Sequence, residues 1–243
     1  MALIPALPKL KYCGLTRAED VDAAIASGVD AIGLNFFEAS PRSVGIEQAR
    51  CLTLAIKKRV MAVGVFVNMA PDRVGEIVRA CDLDCVQLHG DERPEWMARA
   101  SSISSLRGIS IIKAVSWRGT QEDREIVESW RLFAESQNEV NDPNVSKLIG
   151  FLVDSFDPIQ RGGTGKTARW DLLYPRPPEL QGVPILLAGG IRADNATESL
   201  QTAKPEGIDV ASGIESAPGI KDKSKMQSIA LAVLGYYRQK RLS

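Results

Sequence analysis

Two side chains in this 243-residue chain have the type and setting for acid–base chemistry. Cys13 ends the short apolar run Leu10-Lys11-Tyr12-Cys13, and Asp154 ends the run from Lys147 through Val153. A free thiol has a pKa of about 8.5, so only a small fraction is thiolate near neutrality. Lys11 lies two residues earlier, so on a strand its side chain shares a face with the thiol. An ammonium there favours the thiolate and makes Cys13 a candidate general base. The other reading is a buried structural cysteine. A carboxylate after a buried run is expensive unless it is solvated or functional. To act as an acid near neutrality, Asp154 needs a pKa raised by desolvation; the alternative is a turn cap with Ser155.

Further candidates follow other apolar runs. Gly189-Gly190-Ile191 and Ser212-Gly213-Ile214 are glycine-rich turns that suit a phosphate, because glycine lets backbone N–H groups approach an anion closely. They can also be tight turns with no ligand. Arg42, in Ser40-Pro41-Arg42, can clamp a carboxylate bidentately or be a solvated loop arginine. His89 is a ligand contact or a satisfied rim residue, with no triad partner in sight. The segment Arg161 to Thr167 resembles a nucleotide P-loop, but Gln160 stands where the first glycine is required, which argues against ATP. A mobile glycine-rich loop after Asp154 can instead close over a substrate.

These residues need a frame that brings the ends of distant runs together. Eight short, mostly apolar runs span the chain: Leu10–Cys13, Asp30–Phe36, Val60–Asn68, Asp84–His89, Ile109–Val115, Lys147–Asp154, Pro184–Ala188 and Ile208–Ser212. Such runs suit strands buried in a parallel sheet. Amphipathic segments alternate with them. Thr16 is the expected N-cap of a helix over Arg17–Ser27, with Glu19 completing a capping box and Gly28 closing it. Pro71 and Pro94 open the next helical segments, Asp72–Cys81 and Glu95–Ser104, and a last helix covers about Ser224–Arg241. The polar stretch Glu135–Asn144 reads as a surface loop. Eight alternating units without a long linker predict an α/β fold, a single (β/α)8 TIM barrel over residues 9–243 preceded by a short extension, residues 1–8. In that fold the site lies at the C-terminal ends of the strands, where Cys13, Arg42, His89, Asp154 and both glycine turns fall.

Composition excludes other classes. Formal net charge is zero, which gives no electrostatic reason to expect nucleic acid or an anionic membrane. No apolar run approaches the roughly 20 residues of a membrane span. Cys13, Cys51, Cys81 and Cys85 are too few for a disulfide scaffold and, with His89 the only histidine, make a poor zinc set. Reduced thiols and a cytoplasmic location are expected.

Lys11-Tyr12-Cys13-Gly14-Leu15-Thr16 resembles the opening motif of phosphoribosylanthranilate isomerases. So do Ser40-Pro41-Arg42, Val63 to Asn68, Val86 to Glu92, Asp154-Ser155, Gly162 to Thr167 with Trp170, Leu187 to Ile191, Asp209 to Glu215, and Pro218 to Asp222. They run in the family's order from about Leu10 to Lys225. The resemblance implies an Amadori rearrangement in tryptophan biosynthesis, with a small phosphorylated aminosugar as substrate. By the same resemblance Asp154 is the acid at the ring oxygen, Cys13 the base at C2′, and Arg42 faces the anthranilate carboxylate. His89, Gly163, Gly189, Gly190, Ile191, Ser212, Gly213 and Ile214 line the substrate and its phosphate. No metal or organic cofactor is implied, since the substrate nitrogen is the electron sink. The resemblance allows a monomer, a homodimer, or a domain of a multifunctional tryptophan-pathway chain. The chain departs from the family pattern at Ala168 and Arg169, at Arg192-Ala193, and in a longer segment from Ser116 to Lys147. Among related barrels, a two-aspartate isomerase is disfavoured by Cys13, and Lys113 alone keeps an indole-forming synthase open.

Overall fold

The structure is a computed structural model that describes residues 6–139, 142, 144–154 and 169–242. Eight strands, β1 (Leu10–Cys13), β2 (Ala31–Asn35), β3 (Met61–Phe66), β4 (Cys85–Leu88), β5 (Ser110–Ser116), β6 (Lys147–Asp154), β7 (Ile185–Ala188) and β8 (Gly207–Val210), pair in sequence order into a closed barrel. Every pairing is parallel, and β1 bonds to both β2 and β8, which leaves no open edge. The connections carry helices α1 (Ala18–Ser27), α2 (Ile46–Ile56), α3 (Pro71–Cys81), α4 (Glu95–Ala100), α5 (Gln121–Glu139), α6 (Ala196–Ala203) and α7 (Lys223–Leu242). Between β6 and β7 the described residues form short 3-10 turns at Trp170–Leu173 and Pro178–Leu180. A hairpin, β9 (Glu215–Ala217) with β10 (Ile220–Lys221), follows β8. The expected (β/α)8 barrel is the fold.

Strand alternation builds two cores. Outward residues such as Tyr12, Ile32, Leu34, Phe66, Leu88, Phe151 and Leu187 pack beneath the helices. Inward residues Ala31, Val63, Cys85, Ile112, Leu152 and Leu186 fill the barrel. Leu7, in the segment read as an extension, packs with Met61 against this inner core. The interior changes character toward the C-terminal ends of the strands, where Lys11, Cys13, Gln87 and Asp209 are buried.

Three local expectations are corrected. Thr16 does not cap α1: Arg17 is the N-cap residue with no side-chain cap bond, and the Thr16 hydroxyl donates to the Gly219 carbonyl at 2.7 Å. The tertiary acceptor wins over the helix amides. The stretch from Glu135 is not all loop, since α5 continues to Glu139. Arg131 bonds both Glu128 and Glu135, and such i,i+4 pairing supports a polar helix. Helix α4 stops at Ala100, short of the expected Ser104, and the chain turns again at Ser104–Leu106. Gly28 does close α1, in the left-handed region at φ 89°, and Pro71 does open α3.

Candidate active site

Register explains the first feature of the site. Lys11 on β1 pairs with Asp209 on β8, so both side chains project inward from neighbouring strands. Lys11 Nζ donates to Asp209 Oδ1 at 2.7 Å, with the lysine side chain fully buried. Cys13 lies one step further along the same face, near enough for the ammonium to pull its pKa down. Gly33 on β2 makes room for both groups: a Cβ there would lie 2.9 Å from Cys13 Sγ and 3.0 Å from Lys11 Nζ.

The electrostatics differ from the expectation. Burial pushes the Cys13 thiol above its ordinary pKa; the Lys11 ammonium pulls down, Asp209 pushes up, and burial prevails. A lone ammonium would have lowered the thiol, but this one already answers a carboxylate. Burial also acts to lower the Lys11 pKa, and Asp209 with Cys13 outweighs it, so Lys11 stays charged.

Arg42 reaches the end of β1 from the β2–α2 loop. Gly14, at φ 72°, carries no side chain to block it; a Cβ there would stand 2.5 Å from Arg42 Cδ. Arg42 gives Nε and Nη2 to the two Glu215 oxygens at 2.8 and 2.7 Å. Glu215 also accepts from Lys221 Nζ at 2.8 Å and from the Gly219 amide at 3.1 Å. Lys221 Nζ in turn donates to the Cys13 carbonyl at 2.7 Å and the Ala211 carbonyl at 3.1 Å. Burial acts against the Glu215 carboxylate, but its bonds from Arg42 and Lys221 prevail and hold its pKa down.

The glycine turns stand side by side. Gly189 and Gly190 take φ 92° and 62°, and a Cβ at Gly213 would drive into the Ile191 carbonyl, so the two loops touch. Ile191 and Ile214 are buried in the core and can offer a ligand only backbone, whereas Ser212 is exposed. Asn195 braces the first turn, donating to the Gly190 carbonyl at 3.0 Å and accepting from the Arg192 amide at 2.7 Å. This bracing holds the turn that leads into Arg192-Ala193.

Asp154 closes β6, three strands round the barrel from Cys13, and lines a cavity at the mouth with His89, Lys113 and Ser116. His89 Nδ1 lies 2.7 Å from Gln87 Nε2. With Gln87 donating, the imidazole carries its proton on Nε2. Gln87 itself is fully buried, and its Oε1 has no partner among the described residues. Lys113 is engaged: Nζ donates to Glu92 Oε2 at 2.9 Å and to the Gly90 carbonyl, and it lies over the Trp130 ring. A lysine held in this way is not poised for the synthase reading. Gly163 and Ala168 lie outside the described residues. Arg169 is exposed and pairs with Asp171 at 2.8 Å. Cys81 and Cys85 are buried thiols, and no metal-binding cluster occurs among the described residues. No helix among them is long and apolar enough to cross a membrane.

The structure thus gathers Cys13 and Arg42 at one side of the mouth, His89 and Asp154 in a shared cavity, and the two glycine turns beside β1. Sequence reasoning gave no role to Asp209, Glu215, Lys221 or Gln87. The signal for the first was a charged residue in each of two apolar strands that close the barrel against each other.

The chain is similar over most of its length to known proteins. Residues 10–231 match the family model described as N-(5′-phosphoribosyl)anthranilate (PRA) isomerase. The chain is 39% identical over 224 residues to N-(5′-phosphoribosyl)anthranilate isomerase of Myxococcus xanthus, covering 92% of this chain and 95% of that one. Among solved structures, phosphoribosyl anthranilate isomerase from Thermotoga maritima superimposes with a TM-score of 0.74 at 29% identity, over 94% of this chain and all of that one. A phosphoribosyl anthranilate isomerase in complex with reduced 1-(o-carboxyphenylamino)-1-deoxyribulose 5-phosphate gives a TM-score of 0.70 at 27% identity, over 94% of this chain and all of that one.

Proposed function

Because this chain belongs to the N-(5′-phosphoribosyl)anthranilate isomerase family, and is an isomerase of tryptophan biosynthesis, we propose that it converts N-(5-phosphoribosyl)anthranilate to 1-(2-carboxyphenylamino)-1-deoxyribulose 5-phosphate by general acid–base catalysis. The observation that carries this reading is the placement of a buried thiol beside Lys11 at one side of the barrel mouth and a carboxyl group, Asp154, at the other. Two groups on opposite walls can serve two ends of one small substrate.

Asp154, as the acid, gives its proton to the furanose ring oxygen. The C1′–O bond breaks, its electron pair stays on the oxygen, and the nitrogen lone pair forms a C1′=N iminium. Cys13, as the thiolate, takes the C2′ proton. The freed pair becomes the C1′=C2′ bond and the iminium electrons return to nitrogen. The enolamine then loses its O2′ proton and gains one at C1′. A proton passed through solvent from the Cys13 thiol to Asp154 restores both groups. The cationic iminium is what lets a thiol with a raised pKa work as its conjugate base, since it acidifies C2′.

The phosphate rests on the turns at Gly189–Ile191 and Ser212–Ile214, together with Gly163, and Arg42 faces the carboxylate. His89 Nε2–H offers a donor to a sugar oxygen. The reaction needs no cofactor in this scheme, and the enzyme works in the cytoplasm. Running it in D2O tests the route. Deuterium at C1′ of the product is the expected result; protium retained there in full contradicts a route in which the Cys13 proton exchanges with solvent.

A further inference from the structure

We infer that Glu215 and Lys221 are positioning residues that aim Arg42 and set the enzyme's preference for a carboxylate on the substrate's aromatic ring. This rests on the reading that Arg42 meets that carboxylate. Neither residue touches substrate in the proposed scheme; both act through Arg42 and through the end of β1.

The argument begins with the edges of a guanidinium. Glu215 takes the side edge, Nε and Nη2, with both oxygens. That leaves the end edge, Nη1 with the second hydrogen of Nη2, as a fork of the same planar shape. A carboxylate at that edge meets two parallel donors already held in plane. An arginine free in its loop would pay rotamer entropy to reach the same pose. Glu215 is buried and is itself fixed by three donors besides its Arg42 pair on Nε: Arg42 Nη2, Lys221 Nζ and the Gly219 amide.

Charge alone opposes this arrangement, because a carboxylate behind Arg42 neutralises it. Lys221 removes the objection. Its Nζ lies 2.8 Å from Glu215 and is fully buried, so the triad holds two cations against one anion. One positive charge is left over at the rim for an incoming carboxylate. Lys225 adds a further ammonium, bonded to the Glu215 carbonyl at 2.6 Å.

The hairpin explains why the device sits where it does. Glu215 opens β9 and Lys221 ends β10, so the strap after β8 carries both. It is tied to α1 by Asp20, which accepts from the Lys221 amide at 3.2 Å, and to the β1 loop by Thr16 on Gly219. Through Lys221 on the Cys13 carbonyl, the same strap fixes the residue that carries the thiol. Aiming of the carboxylate fork and placement of the base are therefore set by one element.

The test uses two stable product analogues, reduced 1-(2-carboxyphenylamino)-1-deoxyribulose 5-phosphate and the same compound without the carboxylate. Their affinities are measured by calorimetry for the wild type, Glu215→Gln and Lys221→Met, with inorganic phosphate as a competing probe. The wild type is expected to prefer the carboxylate analogue at least tenfold. Each variant is expected to lose most of that preference, to bind phosphate as before, and to raise KM more than it lowers kcat. A variant that keeps the tenfold preference overturns the inference, and so does one that weakens both analogues and phosphate equally, which marks a structural role. A wild type with no preference overturns the Arg42 reading itself. Lys221→Met keeps the test alive should Glu215→Gln fold poorly, because it leaves the Arg42–Glu215 fork in place while removing the compensating charge and the Lys221 bonds to the Cys13 and Ala211 carbonyls.

Discussion

Lys11 and Asp209 sit in register on β1 and β8 with Nζ 2.7 Å from Oδ1, both buried inside the barrel one step below Cys13. Burying an ion pair costs desolvation that its attraction only partly offsets. Its use here is local: Lys11 lowers the thiol's pKa against the pull of burial, while Asp209 keeps Lys11 charged.

Lys11→Met should therefore push the Cys13 thiol still higher. The thiol already titrates above the ordinary range, so thiolate forms as pH rises through that raised value and is scarce below it. The pH dependence of iodoacetamide alkylation at Cys13 measures this directly. The curve of the variant is expected to move to higher pH; an unmoved curve rejects the role of Lys11.

Cys13→Ala and Asp154→Ala should each lower kcat by roughly 10²–10⁴, the range of acid–base catalysis, or by more, with the fold intact. Steady-state kinetics with circular dichroism checks both. Near-wild-type turnover in either variant removes that residue from its role.

Gly213→Ala should weaken phosphate binding, because the new methyl meets the Ile191 carbonyl where the two glycine loops touch. A KM increase of about tenfold or more is expected, on the scale of losing a charge-assisted hydrogen bond or two. Competition by inorganic phosphate provides the check. An unchanged inhibition constant moves the phosphate elsewhere.

Lys113→Met strands Glu92, a buried carboxylate that otherwise orders the Asn68, Gly90 and Lys113 contacts beneath the His89 loop. Removing one partner of a buried pair costs about 3–5 kcal/mol. Urea unfolding should show a loss of that order. A loss below about 1 kcal/mol means that the pair is not the brace it looks like.

The barrel was legible because the strands are short and mostly apolar and most are followed by an amphipathic segment, and because glycine and polar residues gather after the strands rather than before them. The positions of Cys13 and Asp154 followed from that same rule. The helix start at Thr16 was not legible, since its hydroxyl is taken by Gly219, a residue more than 200 positions away in the chain. The raised thiol was missed for a similar reason: Lys11 was visible two residues from Cys13, while Asp209, which offsets it, is brought in only by barrel closure. Glu215 and Lys221 were visible as members of a motif, yet their meeting with Arg42 depends on a hairpin that the pattern of strands did not show.

The account's central claim is turnover of one substrate by this site, and anthranilate fluorescence tests it most directly. Purified protein is mixed with freshly made N-(5-phosphoribosyl)anthranilate, and the fluorescence is followed over time. The account predicts enzyme-dependent loss of fluorescence that stops in Cys13→Ala and in Asp154→Ala. No loss at micromolar wild-type enzyme would contradict it.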